Sequence, residues 1–124
     1  MFIQKIKEDK KKEYIKVHEE CWPELLRAIK ESGIIREMIW LHENNILIYM
    51  MSENFDKSIA KLAKKKVFKD WNDKMSLLLD EMQDYSEEGK IIRLVKIFDL
   101  EMQLGELKKV SKSYDRNYVG GING

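Results

Sequence analysis

The chain has 124 residues, 44% of them hydrophobic and 36% charged, with 23 Lys and Arg against 22 Asp and Glu for a net charge of +1. That length supports one domain with one modest core, and near-neutrality argues against nucleic acid as the main partner, because phosphate binding needs a clear positive excess. A single cysteine, Cys21, excludes an internal disulfide and a cysteine-rich zinc site; with no long apolar run and no signal-peptide pattern, no membrane partner is expected and the cytoplasm is the expected location.

Residues 2–7 alternate apolar and polar and read as a first strand. Asp9 suits the N-cap of a helix running to about Cys21. Pro23 cannot sit in a helix interior but fits the first turn of a new one, so a second helical segment is expected over residues 23–31, closed by Gly33 in a left-handed cap. Residues 34–41 and 46–52 are apolar runs rich in Ile, Trp and Tyr around the polar stretch His42-Glu43-Asn44-Asn45, which predicts a β-hairpin with His42 at its tip. Helical spacing resumes with Phe55, Ile59 and Leu62. It continues through Val67, Phe68, Trp71, Met75, Leu78, Leu79 and Met82 after the lysines at 64–66. Residues 85–89 read as a polar loop and residues 90–100 as the last strand.

The order β-α-β-β-α-β predicts an α+β, ferredoxin-like domain over residues 1–100, with a four-stranded antiparallel sheet covered by helices on one face. The bare face of such a sheet is expected to meet a second copy, giving a homodimer. Residues 101–124 have weak patterning, end in Gly120-Gly121-Ile122-Asn123-Gly124, and are expected to be an appended tail.

Tyr14, His18 and Trp22 stand four residues apart, so a helix brings a phenol, an imidazole and an indole to one side. Such a set could bind a small polar ligand with one apolar face, the imidazole supplying a proton near neutral pH. The plainer alternative is two core aromatics and a half-buried, hydrogen-bonding His18. Trp71 lies in the apolar stripe of its helix, and Cys21 beside Trp22 reads as a small buried filler. Only His18 and His42 are available as imidazoles and they lie on different elements, so no metal site is expected.

These residues carry a resemblance. Tyr14-x3-His18-x3-Trp22-Pro23-Glu24-Leu25, Gly33-Ile34, Asn45-Ile46-Leu47-Ile48, Trp71-x3-Met75, and Gly89-Lys90 with Lys96-Ile97-Phe98-Asp99-Leu100 resemble the L-rhamnose mutarotase family and its L-fucose-directed relatives, over about residues 1–100. The resemblance implies a homodimeric α/β barrel and a sugar mutarotase that uses neither metal nor cofactor. It implies that His18 is the proton donor, that Tyr14 binds substrate, and that Trp71 is one of a pair of sugar-binding tryptophans. The chain departs from the family at two places. Asn72 replaces the second tryptophan of that pair. A substrate-binding Tyr of rhamnose-directed members falls at about Glu37, and the stretch around it looks closer to the fucose-directed branch.

Mutarotation needs one proton delivered to the ring oxygen and one removed from the anomeric hydroxyl, both general acid–base steps within the reach of an imidazole. Tyr14 is then expected to hold a hydroxyl, and Trp22 or Trp71 to cover the C–H face and the 6-methyl group. Glu37 is either a second acid–base or hydroxyl-binding group or a solvent-facing or salt-bridged strand residue. The alternatives to a mutarotase are a diverged protein on the same dimeric barrel, either a cofactor-free monooxygenase-like or heme-handling relative, or a non-catalytic small-ligand-binding module.

Overall fold

The computed structural model describes residues 1–86, 89 and 91–105. Strand β1 (Phe2–Ile6) leads through a single 3-10 turn to helix α1 (Lys11–Glu19) and then α2 (Pro23–Ser32). The hairpin strands β2 (Ile34–His42) and β3 (Asn45–Ser52) follow, then helices α3 (Phe55–Ala63) and α4 (Lys66–Ser76), strand β4 (Leu79–Glu81) and a short helix α5 (Leu100–Leu104). The sheet order is β2-β3-β1-β4 with every pairing antiparallel, the ferredoxin-like arrangement.

Phe2, Gln4 and Ile6 of β1 and Ile46, Ile48, Met50 and Ser52 of β3 are buried in strict alternation, so one sheet face lies under the helices. Leu25 of α2, Phe55 and Leu62 of α3, and Phe68, Trp71 and Met75 of α4 close over that face to form a single core. On the other face the register aligns Ile3 with Leu47, Leu47 with Trp40 and Tyr49 with Met38, and Ile3 and Trp40 are exposed there.

The hairpin is tighter than its polar tip suggested. His42 pairs with Asn45, leaving a two-residue turn in which Glu43 takes φ 55°. The register also slips between Ile34 and Arg36, a β-bulge. Ile34 faces Ser52 and Glu37 faces Met50, both on the buried side. Three residues of β2 therefore span two of β3, and everything after Ile35 is turned over relative to an unbroken strand.

Three expectations need correction. Asp9 does not cap the first helix: it sits inside the 3-10 turn, and α1 ends at Glu19. The apolar spacing through Met82 does not describe one continuous helix. Lys64 and Lys65 separate α3 from α4, and α4 ends at Ser76, where Leu78 N–H donates to the Met75 carbonyl at 2.9 Å. The Leu78 carbonyl then accepts from Lys7 N–H at 2.9 Å, and Leu79–Glu81 becomes the fourth strand along the open edge of β1.

Residues 90–100 are therefore not the last strand. Lys90 lies outside the described residues, and the stretch that follows meets β1 only at its start, through a bridge between Arg93 and Phe2 and a hydrogen bond from Leu94 N–H to the Met1 carbonyl at 2.6 Å. The reason is Gln83, whose side-chain amide stands where a backbone peptide would. It donates to the Ile3 carbonyl at 3.1 Å and accepts from Ile92 N–H at 2.8 Å, so residue 92 runs one layer farther out. An ion pair between Arg93 and Asp56 and the Arg93 guanidinium 4.7 Å over the Phe55 ring hold this segment to α3. Residues 106–124 of the expected tail lie outside the described residues.

The passage from α2 into β2 depends on Gly33, which takes φ 109°. A Cβ there would stand 2.7 Å from the Ser58 Oγ, which is already bonded to the Ser52 Oγ at 2.7 Å. Gly33→Ala should lower the unfolding free energy by about 1–3 kcal/mol, read by urea denaturation. Unchanged stability would mean that neither the left-handed cap nor the Ser52–Ser58 contact constrains this turn.

Candidate active site

The bulge in β2 and the four-residue spacing on α1 bring chemistry to one place. A cavity of about 460 Å³ lies between the sheet and the helices, within the range of small-molecule sites. Tyr14, His18, Glu37, Trp71 and Asn72 all line it. Trp22 does not. Its ring stands at 84° to that of Trp71 with centroids 5.1 Å apart, against the wall and away from the lining.

His18 and Tyr14 are one helical turn apart, with ring centroids separated by 4.1 Å. The His18 Nδ1 lies 2.7 Å from the Tyr14 carbonyl oxygen. A carbonyl only accepts, so Nδ1 carries the hydrogen and Nε2 is the nitrogen left to exchange a proton. Burial lowers the imidazole pKa below its ordinary 6.5, and the bond to the Tyr14 carbonyl partly offsets this. The Trp71 ring meets His18 at 79° with centroids 5.2 Å apart, so Trp71 fixes the imidazole from the α4 side.

Glu37 is the least expected member. Its Oε1 is buried and has no hydrogen-bond partner among the described residues. Desolvation raises the carboxyl pKa from 4.5 to about 7. The phenol of Tyr14 is pushed above its ordinary value first by burial and then by the Glu37 charge, so it stays protonated through neutrality. Burial also raises the Cys21 thiol, making it a poor nucleophile.

Two further cavity residues carried little sequence signal. Gln4 shares the buried register of β1 with Phe2 and Ile6, and that alternation was the one available clue. Its Oε1 accepts from Tyr85 O–H at 2.9 Å and from Gln83 N–H at 3.0 Å. Tyr85, expected in a polar loop, is buried and wedged between Phe2 and Phe68. His42 lies at the hairpin turn, outside this cavity. Among the described residues, no group of three or more His, Cys, Asp or Glu could hold a metal ion, and no helix is long and apolar enough to cross a membrane.

Residues 1–100 match the family model described as L-rhamnose mutarotase. A protein of that name from Agrobacterium fabrum is 32% identical over 100 residues, covering 80% of this chain and 92% of its own length. One from Flavobacterium johnsoniae is 30% identical over 97 residues, covering 76% and 89%. The crystal structure of an L-rhamnose mutarotase from Formosa agariphila superposes with a TM-score of 0.58 at 21% identity, covering 79% of this chain and 95% of that one. At that identity the likeness speaks for the fold alone.

The buried carboxyl makes stability depend on pH. With a folded pKa of about 7 against 4.5, the folded protein holds a proton that the unfolded chain has released, so stability falls as pH rises through that window. Relative to Glu37→Gln, the wild-type protein should lose about 3 kcal/mol of stability between pH 4.5 and pH 7, by the worth of a pKa shift of that size. Urea unfolding of both proteins across that range checks this, and a constant difference would place the Glu37 carboxyl in water.

Proposed function

The chain belongs to the L-rhamnose mutarotase family, a family of isomerases, and on that premise we propose that it interconverts the α and β anomers of a 6-deoxy-L-hexose, L-rhamnose first among them. The observation that carries this reading is His18, its Nδ1 committed to the Tyr14 carbonyl and its Nε2 left to work on the wall of a sugar-sized cavity.

Mutarotation opens the pyranose to its aldehyde, allows rotation about the bond from C1 to C2, and recloses the ring on the other face. The chemistry is proton movement alone, and the proposal invokes no cofactor and no metal. His18 moves a proton at Nε2, where a positioned group contributes about 10²–10⁴-fold. The Tyr14 phenol, one turn away, holds a sugar hydroxyl. Trp71 presents its ring to the C–H face and the methyl group, with Trp22 braced against it. Asn72 and Glu37 supply polar contacts from opposite walls, on α4 and β2. A carboxyl and an amide at these two positions, where rhamnose-directed relatives are expected to carry Tyr and Trp, favour L-fucose as the second sugar to test.

Residues 1–100 are the proposed catalytic domain and residues 101–124 an extension, a division supported by the reach of the family match. The working unit is a homodimer joined across the open sheet face, and its location is the cytoplasm. The dimer is supported by that face, where Ile3, Trp40, Leu47, Tyr49 and Met51 lie together and Trp40 is 47% exposed.

Saturation-transfer NMR should detect enzyme-dependent anomer exchange with L-rhamnose or L-fucose. His18→Asn should cut that exchange by roughly 10²–10⁴-fold with the fold retained. Tyr14→Phe, which keeps the ring and loses one hydrogen bond, should cost about 1–3 kcal/mol in transition-state binding. Full exchange in a folded His18→Asn protein would refute the role given to His18. Light scattering at micromolar concentration should report two chains together, and a stable 14.8 kDa species would rule out the dimer.

A further inference from the structure

We propose that Glu37 and His18 are the two proton-transfer residues of this site, with the Glu37 carboxyl donating to the ring oxygen and neutral His18 Nε2 accepting from the anomeric hydroxyl. The assignment rests on the mutarotase reading above and goes beyond it. It gives His18 the opposite direction of transfer from the one the family resemblance implies.

Two geometric facts carry it. A carbonyl oxygen 2.7 Å from His18 Nδ1 fixes the tautomer, so the neutral ring presents the Nε2 lone pair. In the neutral ring that nitrogen can receive a proton. In the lining of the same cavity, the bulge between Ile34 and Arg36 turns Glu37 inward opposite Met50, and its Oε1 is buried with no hydrogen-bond partner among the described residues. A structural carboxylate would be met by donors or cations. A carboxyl left unsatisfied on the wall of a cavity has its hydrogen bond in reserve for an incoming oxygen.

The neighbours agree. The Glu37 charge acts on Tyr14 from α1, Cys21 from the turn after it and Tyr85 from beyond β4, and His18 shares the cavity lining with it. Both phenols and the thiol are pushed toward their protonated forms, first by burial. The cationic side chains of the lining are Lys30 and Arg36. Lys30 Nζ donates to the Ile35 carbonyl at 2.6 Å, and the Arg36 position pairs with Met51 on the outer-face register. With the Glu37 pKa raised to about 7 and that of His18 lowered from 6.5, the acid is still largely protonated and the base already largely neutral in the window between the two.

The step balances. The O1–H proton passes to His18 Nε2, and the electrons of that bond form the carbonyl at C1. The C1–O5 bond breaks with its pair going to O5, which takes the Glu37 proton. The open aldehyde then lies between an imidazolium and a carboxylate. After rotation, O5 attacks the other face of C1, its proton returns to Glu37, and the imidazolium reprotonates O1. No net proton, electron or atom is gained.

The test is the pH dependence of anomer exchange, read by saturation-transfer NMR on the wild-type protein, Glu37→Gln and His18→Asn, with folding checked by circular dichroism. Wild-type exchange should rise as His18 loses its proton and fall through pH about 7 as Glu37 ionises. Glu37→Gln should lose roughly 10²–10⁴-fold in rate. It should also lose the falling limb, and what remains should rise with pH to a plateau, since the surviving base must be neutral. Residual exchange in His18→Asn should instead fall through pH about 7. A Glu37→Gln protein with the wild-type rate, or one whose rate declines as His18 deprotonates, overturns the assignment, the latter by showing that His18 is the acid. Should Glu37→Gln not fold, His18→Asn decides, and exchange that rises with pH there overturns it. A wild-type protein inert toward every 6-deoxyhexose sinks the mutarotase reading itself, and the assignment with it.

Discussion

One extra residue in β2 decides what the interior contains. Without the bulge at Ile35, unbroken alternation from Ile34 would place Arg36 and Met38 under the helices and Glu37 outside. With it, Glu37 and Ile39 face inward opposite Met50 and Ile48, while Arg36, Met38 and Trp40 join the outer face. The same slip sets the polarity of the cavity and the apolar character of the open sheet face. Burying a carboxyl is costly unless it is neutralised, so the bulge also brings the titration of Glu37 up to about pH 7.

The other polar and aromatic residues of the cavity are held by regular structure. Tyr14 and His18 share one helix, and the ring hydrogen bond of His18 goes to the backbone of that helix, so its tautomer is tied to α1 itself. Trp71 links this pair to the rest of the domain. It belongs to the core, contacts His18 and Trp22 and forms part of the cavity wall. Large aromatic truncations in cores cost about 3–5 kcal/mol, so at Trp71 stability and ligand contact are not separable by deletion. Asn72, the next residue along, reaches the cavity without belonging to the core cluster.

The chain after β4 follows a different logic. Gln83 interposes its amide between β1 and residue 92, and after it only Arg93 and Leu94 pair with the start of β1, so no strand develops over residues 95–99. Val95, Ile97 and Phe98 are strand-forming residues left largely in solvent, with Ile97 92% exposed. Their β-propensity is real, but propensity needs a free backbone edge to act on; Leu79–Glu81 and Gln83 occupy most of the β1 edge, and Arg93 and Leu94 reach its first residues.

Local chemistry made much of this protein readable from its sequence. The Pro23 start and Gly33 end of α2, the hairpin, the order of elements and the shared side of Tyr14 and His18 follow from φ preferences, turn residues and periodicities of 3.6 and 2. What sequence left open were the choices between partners distant along the chain. The apolar residues from Leu78 to Met82 fit a helix or a strand equally well, and only the unpaired edge of β1 made them β4. Tyr85 sat in polar company and was buried because Gln4 offered it an acceptor 81 residues away. Glu37 could have faced water or the interior, and neither its own preference nor that of its neighbours distinguishes the two. A bulge is a mismatch between two strands, so its place exists only once β2 has found its register on β3.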